Sequence, residues 1–231
     1  MMAKHSGPPP GYVEVSERLQ EPYFDRDGIT IYHARCEDVL PSINPAEVSL
    51  LLTDPPYGIG YKGSSYWDGR TIEGDDQPFD PAAMLAYGRC VLFGANHFCH
   101  ALPQSDGWIV WDKRLQDSTD SGLRVPDSEM AWTNVTKRQR IYRQLWAGPM
   151  RAEESTFVHP TQKPVGMMRW ILNQWTEPGD LVLDPYMGSG PIAQACHELG
   201  RRYIGVELVE DYCRIAVSRL SQQTFDFGGV A

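Results

Sequence analysis

Two short runs, VSLLLTD at 48–54 and DLVLD at 180–184, are apolar at successive positions and each ends in an acid. Successive side chains of a strand point to opposite faces, so a strand apolar at every position has to be covered from both sides. A doubly wound α/β sheet with helices on both faces meets that demand. Further β-rich runs fit it: GITIYHA (28–34), CVLFGA (90–95), GWIVWD (107–112), EMAWTN (129–134) and RYIGVEL (202–208). Helix-length stretches such as DPAAMLAYG (80–88) and PIAQACHELG (191–200) separate several of them. Ligands of such sheets bind at the carboxyl ends of the strands. The acids that end these strands, Asp54, Asp184 and Glu207, are therefore the first candidates for function.

The 231 residues are enough for one sizeable core without disulfide help. The five cysteines are odd in number, widely spaced and free of any Cys-x-x-Cys pair. That disfavours a disulfide framework and a zinc knuckle, and it suits a reducing cytoplasm. Cys99 between His97 and His100 lacks a second cluster to complete four ligands, so no metal is expected. No apolar run approaches the ~20 residues that span a bilayer, and the proline-rich start MMAKHSGPPPGY has no apolar signal core.

The net charge of −9 argues at first against nucleic acid, but the charge is unevenly spread. Residues 130–175 hold seven basic and two acidic side chains, a local balance of +5. Within them Lys137, Arg138, Arg140 and Arg143 alternate with Tyr142 and Trp146. Cations interleaved with aromatics suit a phosphate backbone and exposed bases; a solvated strand or helix face is the equal alternative.

VLDPYMGSGPIAQACHELG (182–200) reads as strand, glycine turn and helix, with Gly188, Gly190 and Ala193 in the G-x-G-x-x-G/A spacing. Glu207 follows Gly188 by 19 residues, where an acid reaches a ribose hydroxyl. NAD and S-adenosylmethionine both fit. NAD would set a pyrophosphate near Asp184, which repels it, whereas S-adenosylmethionine brings an ammonium and a sulfonium. Asp184 favours the methyl donor.

LLTDPPYGIGY (51–61) places an acid, two prolines and an aromatic where a buried strand ends. The exocyclic amino group of adenine or cytosine is a poor nucleophile because its lone pair is delocalised into the ring. Two acceptors on its N–H bonds would draw it toward tetrahedral geometry. Asp54 can supply a carboxylate and Pro55 a carbonyl, and Pro56 keeps Pro55 extended with no backbone donor nearby. Tyr57 would offer a ring for the base to stack on, and Gly58 and Gly60 leave room beside it.

DPPYG together with DPYMGSG resembles the S-adenosylmethionine-dependent amino-group DNA methyltransferases, in the permuted class whose catalytic motif precedes the cofactor motif. ARCEDVL (34–40) and HPTQKP (159–164) are similar to further segments of that class, and DDQPFD (75–80) with VWDKR (110–114) to its short phage-type members. The resemblance implies a Rossmann-like methyltransferase sheet, mostly parallel with one antiparallel edge strand. It makes Asp54, Pro55, Pro56 and Tyr57 catalytic. It assigns the cofactor to Asp38, Thr53, Asp54, His159, Thr161, Gln162, Lys163, Asp184, Pro185, Tyr186, Gly188, Ser189, Gly190, Glu207 and Leu208. Within that set Asp184 to Gly190 line the methionine end, Glu207 the ribose, Asp38 the adenine ring and Thr161 to Lys163 the carboxylate. DNA falls to Lys62, Lys137, Arg138, Arg140 and Arg143.

The expected organisation is a flexible segment over 1–25, one catalytic domain over 26–222 and a tail over 223–231. A short basic segment at 134–158 stands in place of a large target-recognition domain. Only twelve residues separate Trp146 from His159, so a short or relaxed recognition sequence and a homodimer are expected. The resemblance implies transfer of a methyl group to the N6 amino group of adenine in double-stranded DNA, since in that family Asp rather than Ser at the start of the motif accompanies adenine. N4-cytosine or RNA methylation are the near alternatives. A NAD-dependent oxidoreductase, or a DNA-binding protein on a decayed scaffold, are the distant ones.

Overall fold

The computed structural model describes residues 21–61, 72–114, 126–147, 150–151 and 162–222. Its strands are β1 (Phe24–Arg26), β2 (Ile29–His33), β3 (Leu50–Thr53), β4 (Cys90–Phe93), β5 (Trp108–Asp112), β6 (Ser128–Thr133), β7 (Gln139–Arg143), β8 (Trp146–Ala147), β9 (Met150–Arg151), β10 (Leu181–Asp184) and β11 (Arg202–Glu207). The α-helices are α1 (Cys36–Val39), α2 (Ala82–Leu85), α3 (Val165–Trp175), α4 (Pro191–Glu198) and α5 (Glu210–Gln222). Nine strands form one sheet in the order β1-β2-β11-β10-β3-β4-β6-β5-β7, and β8 pairs with β9 separately. β1 begins at Phe24, two residues ahead of the expected domain start, and the Tyr23 N–H already donates to the Ile31 carbonyl at 2.8 Å.

β2, β11, β10, β3 and β4 run parallel. The antiparallel edge is β1. A second strand, β6, also runs against its neighbours, and it lies inside the sheet between β4 and β5. The alternation of a strand says nothing of its direction, so only the assembled sheet shows this reversal.

Both faces of the sheet are covered, as the all-apolar runs require. Leu50 and Leu52 of β3 and Val182 of β10 pack with Met168, Ile171 and Leu172 of α3, Ile192 of α4 and Ala216 of α5. Leu51 and Leu183, one position along, face the opposite cluster with Val39 of α1 and Met84 of α2. In α3, Val165, Met168 and Leu172 recur every three or four positions and form a continuous buried stripe. The helix stops at Thr176, whose hydroxyl donates to the Leu172 carbonyl at 2.7 Å, with Pro178 next but one in the chain. The buried Arg201 then donates to the Thr176 carbonyl at 3.0 Å, a cation at the negative end of the helix. Among the described residues no helix is long and apolar enough to cross a membrane.

β3 and β10 are neighbours, yet the chain leaves β3 toward β4 on one side and β10 toward β11 on the other. The strand order reverses between them, and that crevice is where open α/β sheets bind ligands. Asp54 follows β3 and Asp184 ends β10, so the topology brings the two motifs together.

Candidate active site

The segment after β3 is held by an acid that sequence reasoning did not assign. Asp75, 3% exposed, accepts at Oδ1 from the N–H groups of Tyr57 (2.9 Å), Gly58 (2.8 Å) and Ile59 (3.4 Å), and at Oδ2 from Tyr61 (2.6 Å). Its own carbonyl takes the Gly60 N–H at 2.8 Å. Pro55 and Pro56 have no N–H to offer. The loop therefore folds around one carboxylate. The Tyr57 ring lies on Gly94, just after β4, where a Cβ would fall 1.9 Å from the ring. No residue but glycine leaves room for it. The exposed His97 stacks on the same ring at 5.1 Å between centroids and 13° between planes, so one face expected to receive a base carries an imidazole.

Asp54 stands in a chain of buried charges. Tyr57 Oη donates to its Oδ1 at 2.5 Å, and Lys163 Nζ to its Oδ2 at 2.5 Å. Lys163, 5% exposed, also meets Glu129 Oε2 at 3.1 Å, and Glu129 Oε1 takes Lys113 Nζ. Glu129 reaches the site because β6 is antiparallel: its first residues lie where the parallel strands end. Burial raises the Asp54 carboxyl above its ordinary value, with Lys163 acting against it. Burial would discharge Lys163, but Asp54 and Glu129 overcome it and hold the ammonium well above its usual range. Burial likewise opposes ionisation of Glu129, and Lys163 and Lys113 prevail, lowering it to about 2. Lys163, expected from its motif to meet a cofactor carboxylate, is instead spent on these two protein carboxylates. Buried between strand ends, its ammonium is held by the nearest fixed anions.

Asp184 also departs from expectation. It is fully buried, with Thr53 Oγ1 donating to Oδ1 at 2.7 Å and Tyr203 Oη to Oδ2 at 2.9 Å. The neighbouring strands β3 and β11 supply those hydroxyls, so the carboxylate is walled by protein and does not open to a ligand. Burial pushes its carboxyl up from 3.8 to about 7. Between those values the folded protein keeps a proton that the unfolded chain has released. The contribution is thus intact below the unfolded value and lost as pH rises through the folded one. Asp184→Asn cannot titrate. Its stability relative to wild type is expected to improve by a few kcal/mol between about pH 4 and pH 8. Denaturant unfolding of both proteins across that range checks this, and parallel curves would contradict it.

The glycine turn after β10 buries a hydroxyl that no described residue satisfies. Gly188 and Gly190 have φ of +55° and +79°, and Gly190 opens α4 where a Cβ would come 2.7 Å from Ala216 Cβ. Between them Ser189 is 1% exposed, and its Oγ has no partner among the described residues. Glu207, ending β11, accepts from the Gly188 N–H at 2.8 Å and the Val209 N–H at 2.7 Å, tying the turn to the next strand. Beside it Leu208 is 39% exposed, an apolar edge at the same strand end. Pro185 is buried, Tyr186 half-buried against Phe79 at 5.8 Å, and Asp38 exposed in the first turn of α1. Gln162 is buried just ahead of α3. An orphaned hydroxyl between two glycines of positive φ, with an acid one strand away, fits a nucleoside cofactor.

Comparison with known proteins agrees with this geometry. A family model for N6/N4 methyltransferases, described as DNA methylase, matches residues 106–218. The Type II methyltransferase M2.LlaDCHI of Lactococcus lactis subsp. cremoris is 24% identical over 251 residues, covering 88% of this chain and 93% of its own. The Type II methyltransferase M2.DpnII of Streptococcus pneumoniae is 23% identical over 252 residues, covering 89% and 94%. The crystal structure of the M1.HpyAVI–SAM complex superposes with a TM-score of 0.55 at 26% identity, covering 83% of this chain and 99% of that one. By these matches the chain is similar to N6/N4 DNA methyltransferases over residues 106–218 and to Type II methyltransferases over most of its length.

The chain spreads its basic run differently from the sequence expectation. Lys137 and Arg138 are exposed ahead of β7, but within that strand exposure alternates, so Arg140 and Arg143 point to opposite faces. Arg143 Nε pairs with Asp112 Oδ2 at 2.9 Å. The interleaved aromatics are packing residues: Tyr142 sits 5.4 Å from Trp170, and Trp146, 7% exposed, 5.9 Å from Trp111. They are not free to stack on bases. Lys62, His159 and Thr161 lie outside the described residues. Sequence reasoning missed Asp75, His97, Lys113 and Glu129 as site residues. Asp75 and Lys113 fall in segments that resemble the family, the one signal available; Glu129 and His97 carried none.

Proposed function

We propose that this methyltransferase transfers a methyl group from S-adenosylmethionine to the N6 amino group of adenine in double-stranded DNA. The observation that carries the reading is the Asp54 carboxylate, fixed by Tyr57 and Lys163 at the switch point beside the glycine turn. S-adenosylmethionine supplies, when bound, a methyl group on a sulfonium, an electrophile that returns its bonding electrons to sulfur. Gly188, Ser189, Gly190, Glu207, Tyr186 and Asp38 would hold it. The chain's own residues act on the other partner. Asp54 still has lone pairs beyond those used by Tyr57 and Lys163, and one of them accepts an amino hydrogen of the base. The Pro55 carbonyl accepts a hydrogen bond from the second N–H, so the nitrogen turns pyramidal and its lone pair, withdrawn from the ring π system, attacks the methyl carbon. After the C–N bond forms, the cationic nitrogen gives up one proton, and Asp54 is the carboxylate placed to take it.

The adenine must leave the duplex to reach this crevice, at a cost of a few kcal/mol that stacking and hydrogen bonds offset. Tyr57 provides the stacking ring once His97 has moved off the face it covers. Lys137 and Arg138 face the DNA backbone, and a second copy of the chain widens that surface, which suits a short recognition sequence. The setting is the cytoplasm, where the five cysteines, all free, stay reduced.

Incubation with labelled S-adenosylmethionine and duplex DNA, followed by nucleoside analysis, tests the reading. Label in N6-methyladenine is expected. Label in N4-methylcytosine would reassign the base, label on RNA alone would reassign the nucleic acid, and cofactor binding with no label on either would overturn the proposal.

A further inference from the structure

We propose that Glu129 is a positioning residue for the transfer step: from the reversed strand β6 it shares the Lys163 ammonium with Asp54, and so sets where that ammonium sits and how basic Asp54 remains. The inference rests on the assignment of Asp54 to the reaction. It stands on geometry: one ammonium, 5% exposed, lies 2.5 Å from Asp54 Oδ2 and 3.1 Å from Glu129 Oε2. The other Glu129 oxygen is held by Lys113, whose ammonium also lies 4.7 Å above the Trp111 ring, so Glu129 is anchored on its far side. The groups facing Asp54 are thus Lys163, Glu129 and Tyr57, with Asp184 at the end of the adjacent strand.

The charges have a direct consequence. With Asp54 as its only carboxylate, Lys163 would give it a full, unshared ion pair and lower its affinity for hydrogen. A carboxylate that must draw on a weakly acidic amino hydrogen works better when it is less neutralised. Glu129 pulls the ammonium partly away and adds its own negative charge, which acts to raise the Asp54 carboxyl. The Lys163 side chain, lying 5.4 Å over the Phe93 ring and 5.9 Å over the Tyr57 ring, is fixed in that shared position.

The test compares wild type, Glu129→Gln and Glu129→Asp in single-turnover methyl transfer across pH, with cofactor and DNA affinities and thermal unfolding measured alongside. Glu129→Gln is expected to lose at least about tenfold in rate, with its acid limb moved about one unit lower in pH. Cofactor and DNA affinities should stay within about twofold, a split that a merely structural role would not produce. Glu129→Asp, which keeps the charge on a shorter arm, should recover the wild-type acid limb and part of the rate. An unchanged rate and acid limb in Glu129→Gln would overturn the inference and leave the proposed function standing. Equal losses of rate, cofactor affinity and folding, unrelieved by Glu129→Asp, would also overturn it. Wild-type protein that binds cofactor but methylates nothing would remove the proposed function itself.

Discussion

Asp54→Ala is expected to slow methyl transfer by on the order of 10²–10³ while cofactor affinity stays within a few-fold. In the proposed reaction the carboxylate acts on the base, and its present contacts are to Tyr57 and Lys163. Removing it takes away the acceptor that draws on the amino hydrogen. It also frees Lys163 to turn wholly toward Glu129, which lies 3.1 Å away. The fold should tolerate the change, since Lys163 keeps one carboxylate and Tyr57 remains seated on Gly94. Single-turnover assays with labelled cofactor, paired with calorimetric titration, check this. A variant that keeps most of its rate would show that Asp54 does not act on the substrate.

Asp75→Ala should be as damaging for a different reason. Four backbone N–H groups of the loop after β3, from Tyr57, Gly58, Ile59 and Tyr61, converge on this carboxylate. A buried donor left without an acceptor costs about 1–3 kcal/mol, so this part-buried loop would reopen to water rather than leave these donors unpaired. Asp54 and Tyr57 would then lose their fixed spacing, and a rate loss on the order of 10² or more is expected. Asp75→Asn gives a sharper readout. Its one amide oxygen can stand at Oδ1 and keep Tyr57, Gly58 and Ile59, losing only the Tyr61 bond. Its rate and its unfolding midpoint should therefore both fall between those of wild type and Asp75→Ala. Equal defects in the two variants would mean that the negative charge matters more than the pattern of bonds.

Which features were legible from sequence follows from where their causes lie. The strand runs at 48–54 and 180–184 announce burial on both faces by composition alone, and β3 and β10 are buried at every position. The glycine turn is equally local: Gly188 and Gly190 carry positive φ, which a spacing motif can report. In the Asp-Pro-Pro-Tyr step two successive prolines leave carbonyl acceptors with no N–H of their own beside the acid. The aromatics of the basic run misled because a one-dimensional pattern of cations and rings does not say which way a strand turns. Tyr142 and Trp146 went to the core, against Trp170 and Trp111. Asp184 misled in the same manner, because an acid at a strand end is open to ligand only if its neighbours leave it so, and Thr53 and Tyr203 close over it.

The amino-acid sequence by itself determined the two-sided burial of the central strands, the two motif turns and the resemblance to DNA methyltransferases. Each rests on residues close together in the chain, whose periodicity, backbone freedom and chemistry can be judged without knowing what packs on them. Tertiary structure alone decided the electrostatics of the site. Asp54 and Lys163 are 109 residues apart, and the lysine meets this carboxylate only because β3 and the entry to α3 converge at the switch point. Glu129 joins them because β6 runs backwards, which turns the start of that strand to the side where the others end. Burial then sets the protonation of each group, since a charge withdrawn from water is governed by the few partners left within reach.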